Sequence, residues 1–237
     1  MRIDTFILVN NEEKIIEYVM RHYSQFSHVV ILDNNSSDQT IPIAKKMGAE
    51  IWKYNVPDEM NDKVNMDIKN NCWKRSSADW CIVIDADEFV YHPDLIGFLE
   101  KTSATIIAPT WCEMYAEKFP TTKKQIYDEV KTGTVGHCHG HSKINLLRPS
   151  QIREMNWDAG CHNAKPIGNV IPLLECEIKT LHMRWLSKEY VIARSEYTAR
   201  RMSMINKKMG WSFHFAFEPE KLSAIFDEDM KKVTKIL

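Results

Sequence analysis

The first 111 residues alternate between short apolar runs and amphipathic segments, and this alternation limits the fold more than any other feature of the chain. The runs rich in β-branched residues predict buried strands: IDTFILV, HVVILD, AEIWKYN, WCIVID and ATIIAPTW. The segments between them carry apolar residues at helical spacing: EEKIIEYVMRHYSQF, TIPIAKKMG, DKVNMDIKNNCWKRSS and PDLIGFLEK. Strands that alternate with helices predict an α/β fold, with a mostly parallel sheet and helices on both faces.

The rest of the chain is less regular. Between residues 115 and 180, Gly, Pro, His and Asn interrupt short apolar stretches, which predicts a smaller mixed sheet with long loops. The segments SKEYVIARSEYTARRMSMINKK and EPEKLSAIFDEDMKKVTKIL then predict a C-terminal helical tail. We therefore expect a single domain over residues 1–237, with a first half at 1–110, a second half at 111–186 and a helical tail at 187–237.

Composition excludes several classes of protein. The formal net charge of the 237 residues is −1, so no overall field would attract nucleic acid or an anionic membrane. No apolar run approaches the roughly 20 residues of a membrane span, and the N-terminus does not resemble a signal peptide. The 6 cysteines are scattered without a CxxC pair, which argues against structural zinc. We expect a soluble cytoplasmic protein that makes at most peripheral contact with the inner face of the membrane.

Two acidic motifs follow predicted strands. Asp33 ends the second strand in ILDNNSSDQT, and Asp85 and Asp87 end the fourth in CIVIDADEF. Ligands of open α/β sheets bind beyond the carboxyl ends of the strands. A turn followed by a helix cap accounts for the later residues of the first motif but not for Asp33.

The second motif crowds Asp85, Asp87 and Glu88 together, and like charges this close repel one another. A divalent cation would remove the repulsion, and oxygen ligands of this kind suit Mg²⁺ or Mn²⁺ together with substrate phosphates. The alternative is an acidic turn with a purely structural role. The position of the motif at the end of a buried strand favours the metal site.

These motifs, in this order and spacing, resemble those of the family 2-like glycosyltransferases with a GT-A fold. FILVNNEEKIIEYV, VVILDNNSSDQT and NNCWKRSSADWCIVIDADEF are similar to the nucleotide-sugar half of that family. The later stretches are similar to a bacterial subgroup tied to capsule or lipopolysaccharide assembly: MYAEKFPTTKKQIYDEVKTG, KINLLRP, AGCHNAKPIGNV and LHMRWLSKEYVIARSEYTARRMSMINKKMGW. The resemblance covers nearly the whole chain. It implies that residues 1–110 bind the nucleotide sugar and that residues 111–186 hold the acceptor and the metal.

The resemblance also implies which residues hold the nucleotide. Asp33 matches the residue that hydrogen-bonds the base, usually uracil, and Asn10 and Asn11 match the loop that lines the same pocket. Lys69 and Asn70 match a basic residue and an Asn that precede the D-x-D aspartates by about one helix and one strand.

For the metal and the sugar, the resemblance implies four further roles. Asp85 matches the first aspartate of the D-x-D motif, near the ribose and the metal, and Asp87 matches the second, a direct metal ligand. His182 matches a histidine that completes the diphosphate–metal site, and His162 matches a second histidine near the sugar pocket. Which of the two histidines touches the metal stays open.

The chemistry of glycosyl transfer suggests further candidates. Negative charge develops on the leaving diphosphate, so a cation at Asp87 and basic side chains would stabilise it; the basic candidates are Lys143, Arg148, Arg184 and Arg194. Attack by an acceptor hydroxyl needs a base. Asp158 in NWDAGCH, beside His162, and Glu113 in TWCEMY are the candidates, although either acid could instead be a loop hydrogen-bonding residue. Three tryptophans near these loops could be sugar platforms or core anchors: Trp111, Trp157 and Trp185.

The stretch GHCHGH, residues 136 to 141, alternates three histidines, which on a strand would share one face and could bind zinc or nickel. The alternative, a Gly-rich loop in the acceptor region, is the one we favour.

Taken together, the sequence predicts a glycosyltransferase of the hexosyltransferase type that uses Mn²⁺ or Mg²⁺ and a nucleotide-sugar donor, expected to be a UDP-sugar. The expected acceptor is a glycan, which a lipid could carry, in polysaccharide biosynthesis; nucleic acid is not an expected partner. The resemblance alone implies inversion at the anomeric carbon.

Two alternatives remain open: a sugar-phosphate nucleotidyltransferase, and a non-catalytic remnant that binds nucleotide or sugar. ILVNNEEK lacks the Gly-rich loop of the nucleotidyltransferases, and it equally lacks the G-x-G-x-x-G of dinucleotide-dependent oxidoreductases.

Overall fold

The computed structural model describes residues 1–54, 59–136 and 143–237. The strands in chain order are β1 (Ile3–Val9), β2 (His28–Asp33), β3 (Glu50–Lys53), β4 (Trp80–Asp85), β5 (Glu88–Tyr91), β6 (Ile106–Tyr115), β7 (Thr132–Val135), β8 (Leu146–Leu147), β9 (Ile152–Glu154), β10 (Ile167–Gly168), β11 (Pro172–Trp185) and β12 (Thr234–Lys235). The helices are α1 (Ile16–Tyr23), α2 (Thr40–Lys46), α3 (Asp62–Cys72), α4 (Leu95–Lys101), α5 (Lys188–Arg200), α6 (Met204–Met209) and α7 (Pro219–Asp229).

One large sheet joins most of the strands. Its order is β12-β7-β6-β8-β4-β1-β2-β3, and β11 pairs with both β5 and β6. Strands β3, β2, β1 and β4 are mutually parallel, as are β6 and β11. The predicted α/β class with a mostly parallel sheet is confirmed, and the separate smaller sheet is the two-stranded pair β9–β10.

Apolar side chains fill both faces of this sheet. Along β4, Trp80, Ile82 and Ile84 pack on the face covered by α1, α2 and α4. The alternate residues Cys81 and Val83 face the opposite side, where Cys72 of α3 and Trp73 pack. This period of two is what a strand buried on both faces requires.

The region from residue 115 to 180 differs from its prediction. Most of its strands extend the large sheet and do not form a sheet of their own. The 14-residue strand β11 begins inside this region, where we predicted only short stretches. It is stabilised by pairing on both sides, antiparallel to β5 and parallel to β6.

The C-terminal tail is helical as predicted, with two corrections. The first predicted helix is divided into α5 and α6, because Ser203 caps a new helix by accepting a hydrogen bond from the backbone N–H of Asn206. The second ends at Asp229, and the chain then forms β12, which pairs antiparallel with β7. Within the described residues, no helix has the length and apolar character needed to cross a membrane.

Candidate active site

A cavity of about 510 Å³ opens at the carboxyl edge of the parallel strands. The register of the sheet explains why: Val9 of β1 lies beside Asp33 of β2, and Leu8 lies beside Asp85 of β4. The loops that follow β1, β2 and β4 therefore meet at one edge, where α/β sheets bind ligands. Residues from α3, β6, β11, α5 and the segment after α6 complete the cavity wall.

Asp85 lies between two lysines. Lys69, from α3, donates from Nζ to Asp85 Oδ1 at 2.6 Å, and Lys143 Nζ lies 3.3 Å from Asp85 Oδ2. Lys143 also bonds Glu88 Oε1 at 2.6 Å. Burial opposes ionisation of Asp85, but the two ammonium groups outweigh it and hold its pKa well below the usual range.

Asp87 lies in the tight turn between β4 and β5 and lines the cavity. His182 Nε2 is 3.2 Å from Asp87 Oδ2, and His182 Nδ1 is 2.7 Å from Glu113 Oε2. The three side chains Asp87, His182 and Glu113 form a row. Strand register brings His182 and Glu113 together, because His182 on β11 pairs with Glu113 on β6. Trp111 Nε1 donates to the other oxygen of Glu113 at 2.8 Å, so both oxygens of that carboxylate are engaged.

The charge on His182 is set by its neighbours. Burial disfavours the imidazolium, but the carboxylates of Glu113 and Asp87 outweigh burial and raise the pKa of His182 to about 10. With no metal bound, both ring nitrogens therefore carry protons at neutral pH and donate to the two carboxylates.

Arg194 links the C-terminal helices to the strand ends. It projects from α5, where one guanidinium nitrogen bonds Asp87 and the other bonds Glu12 Oε1 at 2.7 Å. Glu12 lies three residues after the end of β1, and its side chain is 13% exposed. One arginine thus bridges the loop after β1 and the turn after β4, which fixes α5 over the cavity.

Asn10 and Asn11 line the cavity and hold its loops together. Tyr197, one helical turn beyond Arg194 on α5, donates to Asn10 Oδ1 at 2.8 Å and accepts from Asn11 Nδ2 at 2.6 Å. Asn11 has φ 50°, a left-handed conformation that Asn tolerates, and its Oδ1 accepts from the backbone N–H of Ser37 at 2.7 Å. These two asparagines therefore join the loops after β1 and β2.

Asp33 lies behind this wall. It is fully buried and does not line the cavity, and Oδ1 accepts from the backbone N–H of Ser36 at 2.9 Å. Its Oδ2 has no hydrogen-bond partner among the residues that the structure describes. The neighbouring Asn34 lines the cavity in its place.

Besides Asp33, two other predicted site residues, Asn70 and Asp158, lie away from the cavity. Asn70 makes two hydrogen bonds to the backbone of Trp157, at 3.1 and 2.9 Å. Asp158 is exposed, and its carboxylate accepts from the backbone and side chain of Asn163, at 3.1 and 2.8 Å. Both side chains stabilise the loop that ends at His162.

Of the other candidate residues, some line the cavity and some do not. Trp111 and Trp185 line the cavity, whereas Trp157 is buried outside it. Arg148 donates to backbone carbonyls at the end of α4 and just after it, and it does not line the cavity. His162 lines the cavity wall beside Gly160. The histidines of GHCHGH lie outside the described residues.

The side chains test the predicted metal site directly. Within residues 1–54, 59–136 and 143–237, no three His, Cys, Asp or Glu side chains form a metal cage. Asp87 and His182 fit as a pair of ligands, because their 3.2 Å separation is close to the roughly 3 Å between neighbouring ligands of an octahedral ion with bonds of about 2.1 Å. Glu113 holds Nδ1 of His182 and so directs Nε2 towards that position, as carboxylates behind metal-binding histidines do.

The sequence analysis missed one acidic residue of the site and one phenol, Glu12 and Tyr197. Glu12 lies in the loop that follows β1, so the rule about strand carboxyl ends could have identified it. Glu88 was noted in the acidic motif, but nothing in the sequence indicated that Lys143 would pair with it. Tyr197 gave no signal, because helical spacing alone does not show what a helix packs against.

Glu12 should make the stability of the protein depend on pH. Burial, opposed by Arg194, raises the pKa of Glu12 from 4.5 to about 7. The folded chain therefore binds this proton more tightly than the unfolded chain, and this residue's contribution to the free energy of unfolding should fall between pH 4.5 and about 7. Glu12→Gln keeps a group that can bond Arg194 and should flatten the slope. Urea unfolding of both proteins at about pH 5 and about pH 7.5 measures it; identical slopes would contradict the assignment.

Solved structures show limited likeness to this chain. Glucosyl-3-phosphoglycerate synthase from Mycobacterium tuberculosis, in complex with Mn²⁺, UDP and glucosyl-3-phosphoglycerate, is 22% identical with a TM-score of 0.36, over 46% of this chain and 44% of that one. The same enzyme with Mg²⁺ and UDP is 21% identical with a TM-score of 0.36, over 46% and 43% of the two chains. S. aureus TarS 1–349 is 14% identical with a TM-score of 0.47, over 85% of this chain and 65% of that one.

The match thus spans less than half the length of the synthase structures. No known family model matches the sequence, and no curated protein does so either. The geometry of the cavity is therefore the main indication of function.

Proposed function

We propose that this protein is a metal-dependent glycosyltransferase of the GT-A type that moves a sugar from a nucleoside diphosphate sugar to a glycan acceptor. The observation that carries the proposal is the row Asp87–His182–Glu113 at the carboxyl edge of a parallel sheet, with distances of 3.2 and 2.7 Å. It offers two adjacent metal ligands beside the cationic groups of Lys69 and Arg194. Mg²⁺ and Mn²⁺ commonly take few protein ligands and complete their shell with water and substrate phosphates.

Each group in this row has a distinct task. Asp87 and His182 would hold the ion, and His182 would first have to release its Nε2 proton. The ion would stabilise the negative charge on the leaving diphosphate as a Lewis acid. Glu113 is a positioning residue: its two oxygens hold His182 and Trp111, so it is not placed to take a proton from an acceptor.

The basic side chains would bind the donor phosphates by exchanging partners. Lys69, Lys143 and Arg194 are now neutralised by Asp85, Glu88, Asp87 and Glu12. Diphosphate oxygens that approach the same cations would share these charges within a partly buried cavity, where such interactions are stronger than in water.

The finer parts of the proposal follow the resemblance in sequence. We propose a UDP-sugar as donor, a hexosyl group as the part transferred, inversion at the anomeric carbon, and a role in bacterial polysaccharide assembly. Residues 1–110 would supply the nucleotide-sugar half and residues 111–186 the acceptor and metal half. Asn10, Asn11 and Asn34 line the cavity where the nucleoside would lie.

Calorimetric titration with UDP, with and without Mn²⁺, tests the proposal. We expect UDP to bind with Mn²⁺ and to bind much more weakly with the metal removed by chelation, because the diphosphate and the two protein ligands share the ion. If another nucleoside diphosphate binds and UDP does not, the base assignment is wrong and the transferase class stands. If no nucleotide binds under either condition, the proposed function is wrong.

Product analysis then separates the transferase from the two alternatives. A glycosyltransferase would transfer the sugar of a UDP-sugar to an acceptor hydroxyl, or to water, and release UDP. A nucleotidyltransferase would instead convert a UDP-sugar and pyrophosphate to UTP and a sugar 1-phosphate. A binding remnant would bind UDP and Mn²⁺ with no turnover of any donor.

A further inference from the structure

The segment from Tyr197 to Phe217 has an unusual composition. It contains no acidic residue. Its basic residues are Arg200, Arg201, Lys207 and Lys208, and its large apolar residues are Met202, Met204, Ile205, Met209, Trp211, Phe213, Phe215 and Phe217. Basic side chains mixed with Met, Trp and Phe are typical of segments that lie in a membrane interface.

Part of this segment forms an exposed surface that is both apolar and basic. Met204 is 78% exposed, Met209 54% and Phe213 55%. Single exposed apolar residues are common on proteins, but these three occur within ten residues, together with the exposed side chains of Lys207 and Lys208. We call the surface formed by these five residues the Met204–Phe213 surface.

The exposed face of α6 is fixed by contacts on its other face. Asn206 is fully buried, and its Nδ2 donates to Asp62 Oδ2 at 3.0 Å. Ser212 donates to the same carboxylate oxygen at 2.7 Å. Because Met204 and Lys208 are four residues apart on a helix, they share the side that faces away from Asn206. Met204 and Lys208 are thus presented together to solvent on one side of α6, and the exposed Met209 and Phe213 follow at and beyond its last residue.

This surface borders the candidate active site. Phe213 is more than half exposed and also lines the cavity, so it lies at the mouth. Ser212 and Phe215 line the cavity from the same segment. A partner on the Met204–Phe213 surface would therefore lie next to the opening through which an acceptor enters.

We propose that the Met204–Phe213 surface docks on an anionic lipid bilayer. The two lysines would face lipid phosphates, and Met204, Met209 and Phe213 would enter the interfacial layer, which is how basic amphipathic surfaces bind anionic membranes. The net charge of the chain is −1, so the attraction is local to this surface and is not a property of the whole protein. Its consequence, that the acceptor is presented at the bilayer surface, rests on the proposed transferase function.

Vesicle co-sedimentation of the full chain tests the docking. The probes are vesicles of phosphatidylcholine mixed with phosphatidylglycerol, and vesicles of phosphatidylcholine alone. We expect binding to the anionic vesicles that weakens as salt is raised. K207E/K208E should weaken it by about 30-fold or more, since each basic residue near an anionic surface contributes about a factor of five. M204S/M209S should weaken it through the lost apolar contact.

Two matched variants serve as controls. K45E/K46E reverses two exposed lysines on α2, and Leu174→Ser removes an exposed apolar side chain on β11. Neither should change vesicle binding. The proposal is overturned if the wild type ignores anionic vesicles, if it binds neutral vesicles equally well, or if K207E/K208E and K45E/K46E behave alike.

Membrane docking and the proposed transferase function are tested by separate measurements, so one can be disproved without the other. UDP and Mn²⁺ titrations without vesicles report the donor site alone, and K207E/K208E should leave them unchanged. A protein that binds UDP but no vesicles would overturn the docking only, whereas one that binds vesicles but no nucleotide would overturn the transferase.

Discussion

Asp87→Asn should remove the Mn²⁺ dependence of UDP binding and lower transferase activity about 100- to 1000-fold, the range seen when one group that stabilises developing charge is lost. Asn is nearly the same size, but it removes the negative charge that Arg194 and His182 both contact at Asp87 Oδ2. The ion would then lose one of its two protein ligands. Calorimetry with UDP and Mn²⁺, followed by the rate of UDP release from the best UDP-sugar, measures both effects.

The control for this variant is Asp158→Asn, which makes the same chemical change at an exposed acid outside the cavity. Its carboxylate accepts from Asn163, and an Asn side chain retains one acceptor. We expect nearly unchanged donor binding and activity. If Asp158→Asn instead lowered the rate while leaving UDP and Mn²⁺ binding intact, Asp158 would regain the role of acceptor base. An Asp87→Asn protein that still needed Mn²⁺ for UDP would show that the ion lies elsewhere.

The sequence predicted the strands whose apolar pattern is continuous along the chain. The strands β1, β2 and β4 are continuous apolar runs, and any α/β arrangement must bury them. Strand β11 could not be found in this way, because Lys179, His182 and Arg184 interrupt its apolar residues. It is a strand because β5 and β6 supply hydrogen-bonding partners on both sides, and such tertiary context often overrides local preference.

For the candidate site, the sequence predicted only which residues lie at the ends of strands. Asp85 and Asp87 follow a buried strand, so their place at the sheet edge followed from the topology. Their partners did not, because Lys143 and Arg194 are distant in sequence and only the packed structure brings them to the carboxylates. The direction of a loop side chain is equally hidden, which is why Asp158 seemed close to the site and is not.

Lys143→Met should destabilise the protein by about 3–5 kcal/mol, the usual cost of removing one partner from a buried ion pair. Lys143 bonds Glu88 at 2.6 Å, and the Glu88 side chain is only 1% exposed. Met fills a similar volume, so the loss would come from the uncompensated charge and not from a cavity. The free energy of unfolding in urea measures this loss.

Lys74→Met is the matched control. Lys74 pairs with Glu154 at 2.5 Å, but both side chains are about one-third exposed. We therefore expect this variant to lose at most about 1 kcal/mol.

The double variant Lys143→Met/Glu88→Gln distinguishes charge from packing. Burial raises the pKa of Glu88 even beside Lys143, and without that lysine the pKa must rise further. Replacing Glu88 by the neutral Gln removes the unpaired charge, so the double variant should be more stable than Lys143→Met. For the same reason, the deficit of Lys143→Met should shrink as the pH is lowered, because protonated Glu88 needs no cation. A deficit that is independent of pH and equal in both variants would mean that Lys143 stabilises the site through its packing.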